Sequence, residues 1–191
     1  MLKHIKVICI ITGLLIIIVA SFAINSTLED SDTVNTMLPP CSVDEGLPII
    51  GNDEVTCYWG MAYETLEIPD EAIAADVMVN IEWVKDGVWI GIADASEASK
   101  CTLKTDYYEC EKDTINLIAG GPNSLGQIEW NPEPGEYRFV AGGEDSQTMQ
   151  QFNVDWSYSA SLKSGFAIGA MILGTILLIC LLYTSPSPRD P

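Results

Sequence analysis

Two long apolar runs, residues 7–24 and 165–183, bracket a stretch in which hydrophobic and polar residues alternate in short segments. About 20 consecutive apolar residues suffice to cross a bilayer as a helix, so the pattern predicts two transmembrane helices flanking one domain. The first run, Val7-Ile-Cys-Ile-Ile-Thr-Gly-Leu-Leu-Ile-Ile-Ile-Val-Ala20, carries no charge and follows a basic end, residues 1–6, with Lys3 and Lys6. The positive-inside bias keeps that end cytoplasmic. Ser21-Phe22-Ala23 places small residues two apart, so two readings stand: a signal peptide removed after Ala23, or an uncleaved signal anchor. In either case residue 25 onward lies outside the cell membrane. The second run is expected to return the chain to the cytoplasm, and Gly165, Gly169, Ala170 and Gly174 have the small-xxx-small spacing that permits close helix packing or dimerisation.

Between the runs, residues 25–46 are acidic, contain Pro39-Pro40 and lack apolar periodicity, which predicts a stalk or linker. Asn25-Ser26-Thr27 is a glycosylation sequon close to the membrane. From residue 47 to 158 short alternating segments dominate: 54–59, 63–68, 76–84, 88–93, 114–119, 126–130, 135–141 and 148–158, with only Asp70 to Ala75 hinting at a helical turn. About eight strands without helix-length periods predict a mainly β fold, an antiparallel β-sandwich or jelly roll.

Asp86-Gly87 predicts a tight two-residue hairpin, pairing Val84 with Trp89, Trp83 with Ile90 and Ile81 with Ile92. Val79, Ile81, Trp83, Ile90 and Ile92 then share the core face, with Trp89, Val84 and Met78 opposite. Phe152, Val154, Trp156 and Tyr158 alternate with Gln151, Asn153, Asp155 and Ser157, so the last strand buries one face and wets the other. Residues 159–164 are left as a short juxtamembrane linker.

Charge changes this picture. Residues 25–160 hold 26 Asp and Glu against five Lys and Arg, a formal −21. Nucleic acid is thereby excluded as a partner, because phosphate binding requires basic neutralisation. The acids keep the domain soluble, and they raise a cation reading: Asp106, Glu109, Glu111 and Asp113, or Glu144 with Asp145, stand close enough in sequence to gather, although no D-x-[DN]-x-[DN]-G loop is present. No cofactor is expected.

Cys41, Cys57, Cys101 and Cys110 are an even set in an oxidising compartment, with three possible connectivities. Sequence proximity favours Cys41–Cys57 and Cys101–Cys110. His4 is the only histidine and precedes the first run, which rules out a histidine-based serine or cysteine nucleophile in the domain. Gly120-Gly121-Pro122 and Gly142-Gly143 lack the context of a phosphate-binding loop and read as turns. A two-carboxylate glycosidase is the hydrolytic chemistry that composition leaves open.

Two resemblances complete the reading. Cys180-Leu-Leu-Tyr-Thr-Ser-Pro-Ser-Pro-Arg-Asp190 resembles an in-frame translation of a transposase-based sequencing adapter, so residues 180–191 are expected to be a library artefact, and residues 180–183 only complete the apparent length of the second run. Trp130-Asn-Pro-Glu-Pro-Gly-Glu-Tyr-Arg-Phe-Val140 resembles the closing turn and strand of extracellular sandwich families such as the bacterial pre-peptidase C-terminal domain and the GOLD domain. The resemblance implies that Tyr137 and Phe139 point inward, and it bears on fold more than on function.

The expected function is that of a membrane-anchored, non-enzymatic surface domain that binds a protein partner, forms a homo-oligomer or contributes to an envelope assembly. Two alternatives remain open. One is a carbohydrate-binding module that uses an exposed tryptophan, for which Trp89 is the stacking candidate. The other is an accessory subunit acting through its membrane helices.

Overall fold

A computed structural model describes residues 2–44, 54–143 and 148–183. The element order is α1 (Leu2–Ile24), β1 (Thr27–Leu38), β2 (Ser42–Asp44), β3 (Glu54–Thr56), β4 (Tyr58–Ala62), β5 (Leu66–Ile68), β6 (Ala75–Glu82), β7 (Val88–Asp94), β8 (Thr102–Leu103), β9 (Tyr107–Glu111), β10 (Leu117–Gly120), β11 (Gln127–Trp130), β12 (Gly135–Gly143), β13 (Gln150–Leu162) and α2 (Ser164–Tyr183). The protein is mainly β, with antiparallel sheets. Short 3-10 turns occupy Asp70–Ala74 and Ala95–Lys100.

One sheet has four strands in the order β1-β13-β6-β11. A seven-stranded sheet runs β10-β7-β12-β4-β9-β8, with β5 paired to β12, and β2 pairs with β3 separately. Alternation along the strands sorts the side chains between faces. Val79 and Ile81 of β6, Ile128 and Trp130 of β11 and Val154 of β13 join Ile90 and Ile92 of β7 and Phe139 and Ala141 of β12 in one buried cluster, so both sheets feed a single core. The opposite face of the seven-stranded sheet carries a second cluster built on Trp59, Met61, Ala93, Cys110 and Val140.

The expected 84–89 hairpin is not formed. Asp86-Gly87 does make a turn, with Gly87 at φ +73°, but β6 pairs with β11 and β7 pairs with β10 and β12, so the two strands lie in different sheets. The predicted face nevertheless holds: Val79, Ile81, Trp83, Ile90 and Ile92 are all buried together. Alternation determines which side chains turn inward, and that is the same whether two strands sit side by side or face each other.

The expected stalk is also corrected. Residues 27–38 form the 12-residue strand β1, with Thr36 and Leu38 buried and Val34 packed on the core. Its acidic first half masks the inward alternation of its second half. The chain then presses on β4: a Cβ at Gly60 would stand 1.7 Å from the Met37 carbonyl oxygen, so only glycine permits this approach. At the other end β13 continues to Leu162, leaving Lys163 alone before α2 rather than a linker over 159–164.

Cys41–Cys57 and Cys101–Cys110 are both disulfide-bonded. Within residues 130–140, Tyr137 and Phe139 are buried; the Tyr137 hydroxyl donates to the Glu133 carbonyl at 2.8 Å and its ring meets Trp130 edge-on at 4.6 Å. The helices belong to a separate compact unit. Within it α1 is long and apolar enough to cross a membrane, whereas α2 has a shorter apolar stretch, Ser164–Ile179, so of the two expected transmembrane helices the described residues show one.

Candidate binding face

Because β13 alternates, its odd-numbered residues from 151 to 157 face away from the core, and β1 meets them with Thr33 and Asn35. The Thr33 hydroxyl donates to Asp155 Oδ1 at 2.7 Å, Asn35 Nδ2 to Asn153 Oδ1 at 3.2 Å, and Gln151 Nε2 to Asn35 Oδ1 at 2.8 Å. Advancing two residues on β1 therefore retreats two on β13, the signature of an antiparallel neighbour. These exposed cross-strand pairs hold a polar ladder in place.

Beside the ladder lies a depression of about 420 Å³, to which Ser31 and Thr33 of β1, Asn80 and Glu82 of β6 and Asp155 and Ser157 of β13 contribute. It shares Ser31, Asn80 and Ser157 with a second depression of about 530 Å³ that adds Glu29, Asp30 and Ser159. No Lys or Arg lines either one. The face offers carboxylates, hydroxyls and amides, a set suited to hydrogen bonding and to a positively charged surface rather than to covalent chemistry.

The sequence-predicted site residues fall elsewhere. Glu109 pairs with Lys104 at 2.9 Å, which raises the pKa of the lysine through that hydrogen bond and charge. Asp113 occupies a turn at φ +63°, Asp106 sits in the exposed loop before β9, and Glu111 ends β9. Among the described residues no three His, Cys, Asp or Glu side chains converge to hold a metal ion, so the structure does not gather these four acids. Glu144 and Asp145 lie outside the described residues.

Trp89 is half-buried. Its ring meets Trp59 edge-on at 4.9 Å and 90°, and it lies over Gly142, where a Cβ would stand 2.0 Å from Trp89 Cζ2. Trp59, Trp83 and Trp130 are buried, and Trp156 is half-buried and stacked on Tyr158.

A cluster that sequence reasoning missed surrounds Arg138, the only arginine between the two apolar runs. Its guanidinium carbon lies 5.1 Å from the centre of the Tyr108 ring, Nη1 donates to the carbonyls of Ala62 and Tyr63, and Tyr63 stacks on Tyr108 at 6.0 Å. The available signal was a lone guanidinium at a strand position aligned with Val140. Its two bonds, both from Nη1, tie β12 to the end of β4, while Nε is buried without a hydrogen-bond partner.

No protein-family model and no curated protein matches the sequence. Among solved structures, the chain is similar to a protein of the disulfide-linked pili of Bacillus endospore appendages, with a TM-score of 0.27 and 6% identity over 72% of this chain and 90% of that one. A type I fimbria protein and antigen of Burkholderia pseudomallei gives a TM-score of 0.26 and 10% identity, covering 71% and 99%. The K1 cleaved adhesin domain of Lys-gingipain from Porphyromonas gingivalis gives 0.24 and 11%, covering 73% and 99%.

Proposed function

We propose that this protein is a membrane-anchored extracytoplasmic β-sandwich domain that acts by non-enzymatic protein binding or envelope assembly. The observation that carries the reading is how the helices are packed. Among the residues whose side chains are described, their buried positions are the small residues Gly13, Ala20, Ala167 and Gly174, whereas large ones such as Ile8, Ile11, Ile18, Phe166, Ile172 and Ile176 are exposed. A helix pair in water would bury its large apolar side chains. In lipid, hydrophobic burial offers no gain and close backbone approach drives association, so small residues inside and large ones outside suit a bilayer. The two disulfides agree with an oxidising compartment.

The acidic depression across β1, β6 and β13 is the surface assigned to the partner, which would present basic groups. After alkaline carbonate extraction the protein is expected to stay with the membrane, with the β domain open to protease added from outside. Glu82→Lys with Asp155→Lys is expected to abolish in situ crosslinking to the partner without changing circular dichroism. Unchanged crosslinking would remove the assignment of this face. The carbohydrate reading depends on Trp89 and Trp156, and full shielding of both from acrylamide quenching ends it.

A further inference from the structure

We infer that α1 is not a removable leader but a permanent membrane helix paired antiparallel with α2 of the same chain. This rests on the membrane-anchored reading above and adds what becomes of the first helix.

The two helices meet backbone to backbone. A Cβ at Gly13 would stand 3.1 Å from the Gly174 carbonyl oxygen, and a Cβ at Gly174 would stand 3.0 Å from the Gly13 carbonyl oxygen and 2.8 Å from Ile17 Cγ1. The other two buried positions, Ala20 and Ala167, lie seven residues further along α1 and seven residues back along α2. Seven residues are about two helical turns, so one small residue per two turns on each helix forms a single antiparallel seam. Gly165 and Gly169, which share a small-xxx-small spacing, have open space where a Cβ would be and take no part in it.

The peptide bond after Ala23, where cleavage would fall, lies within the hydrogen-bonded last turn of α1, with Ala23 half-buried and Phe22 and Ile24 exposed. Ala23 lies in the last turn of α1, and together with Ala20 it borders a small apolar pocket with Leu162, Ala167 and Ala170. The helix end is tied off by Asn25 N to Phe22 O at 3.1 Å, Asn25 Nδ2 to Ser21 O at 3.0 Å and Ser26 Oγ to Phe22 O at 2.9 Å. A protease needs an extended chain, so these bonds must open before cutting. Only Asn25 and Ser26 separate α1 from β1, which leaves no spare chain to present to a membrane-bound peptidase.

The test uses the full chain with an N-terminal epitope tag, carrying Ile17→Cys with Gly174→Cys in a background with Cys9→Ser and Cys180→Ser, in native membranes under mild oxidation. Ile17 Cγ1 marks where the first thiol would sit, and it touches the position of the second side chain. The expected result is retention of the tag and an intramolecular crosslink in most of the protein. Adding Gly13→Leu is expected to abolish the crosslink, whereas Ile11→Ala, on an exposed position, leaves it unchanged. Loss of the tag from the mature protein overturns the inference. So does a retained tag with no crosslink, or with a crosslink only between chains. Release by alkaline carbonate would instead sink the anchored reading, and the crosslink on the same chain would still decide the pairing.

Discussion

The indole Nε1 of Trp83 donates to the carbonyl of Val88 at 2.8 Å across the turn at Asp86-Gly87. The Trp83 amide meanwhile bonds to the Gly126 carbonyl at 3.0 Å, extending the β6 and β11 pairing by one residue. One residue thus ends a strand in one sheet and holds the first residue of β7 in the other. Trp83→Phe keeps one aromatic ring but removes the donor and part of the buried indole, and is expected to cost about 1 kcal/mol for the hydrogen bond and a further amount for the cavity left in the core. The shift of the urea unfolding midpoint measures it. Val84→Ser, at a neighbouring position that is 95% exposed, is expected to leave the midpoint unchanged.

Gly142 exists to admit Trp89. A valine there would suit a strand by propensity, yet its Cβ would overlap the indole, so Gly142→Val is expected to expel Trp89 from its edge-on contact with Trp59. The expected penalty is about 1–3 kcal/mol. Red-shifted tryptophan emission and loss of near-ultraviolet dichroism would accompany it. An unchanged near-ultraviolet spectrum would show that the ring does not sit over residue 142.

Cys110 is fully buried in the second cluster, and its bond to Cys101 closes a loop with a sequence separation of nine. Replacing both with serine is expected to lower stability by about 2–3 kcal/mol, chiefly by freeing the unfolded chain. Thermal unfolding of the variant against the parent protein reads this, with the Cys41–Cys57 bond left intact as the internal comparison.

Glu97 accepts from Lys100 Nζ at 2.7 Å, from the Asn116 amide at 3.0 Å and from Asn116 Nδ2 at 3.3 Å. The Lys100 bond above all, then the Asn116 amide, holds its pKa below the usual glutamate range. A carboxylate whose folded pKa is lowered stabilises the fold fully above its unfolded value, and that stabilisation is lost as pH falls through the folded one. Glu97→Gln should therefore be less stable than the parent at neutral pH, with the difference shrinking once the pH drops below the ordinary carboxylate range. Denaturant midpoints taken from pH 7 down to pH 2 would check the sign, and a constant difference would refute it.

Much of the core was legible from alternation. The inward set Val79, Ile81, Trp83, Ile90 and Ile92 and the inward face of β13 follow from a period of two, which side-chain burial rewards directly. The disulfide partners followed from nearness along the chain. The pairing of β6 and β7 did not, because a turn residue such as Gly87 specifies how the chain reverses and leaves open which edges bond afterwards. Strand β1 escaped notice because its polar half is held by Asp155, Asn153 and Gln151, more than a hundred residues away. The acidic depression was illegible for the same reason: Ser31, Asn80 and Ser157 meet only when three distant strands align.

By itself the sequence determined the two apolar helices, the alternating β character of what lies between them, the cysteines available for pairing and the strong negative charge. Each of these depends on local composition or short periods, which act before any distant contact exists. The tertiary structure alone decided that Trp83 bridges two sheets, that residues 27–38 form a strand, that Arg138 Nη1 bonds the carbonyls of Ala62 and Tyr63, and that Gly13 rather than Gly165 or Gly169 meets the other helix. Those outcomes depend on which surfaces remain to be covered once the chain has folded back, and no short window of residues contains that information.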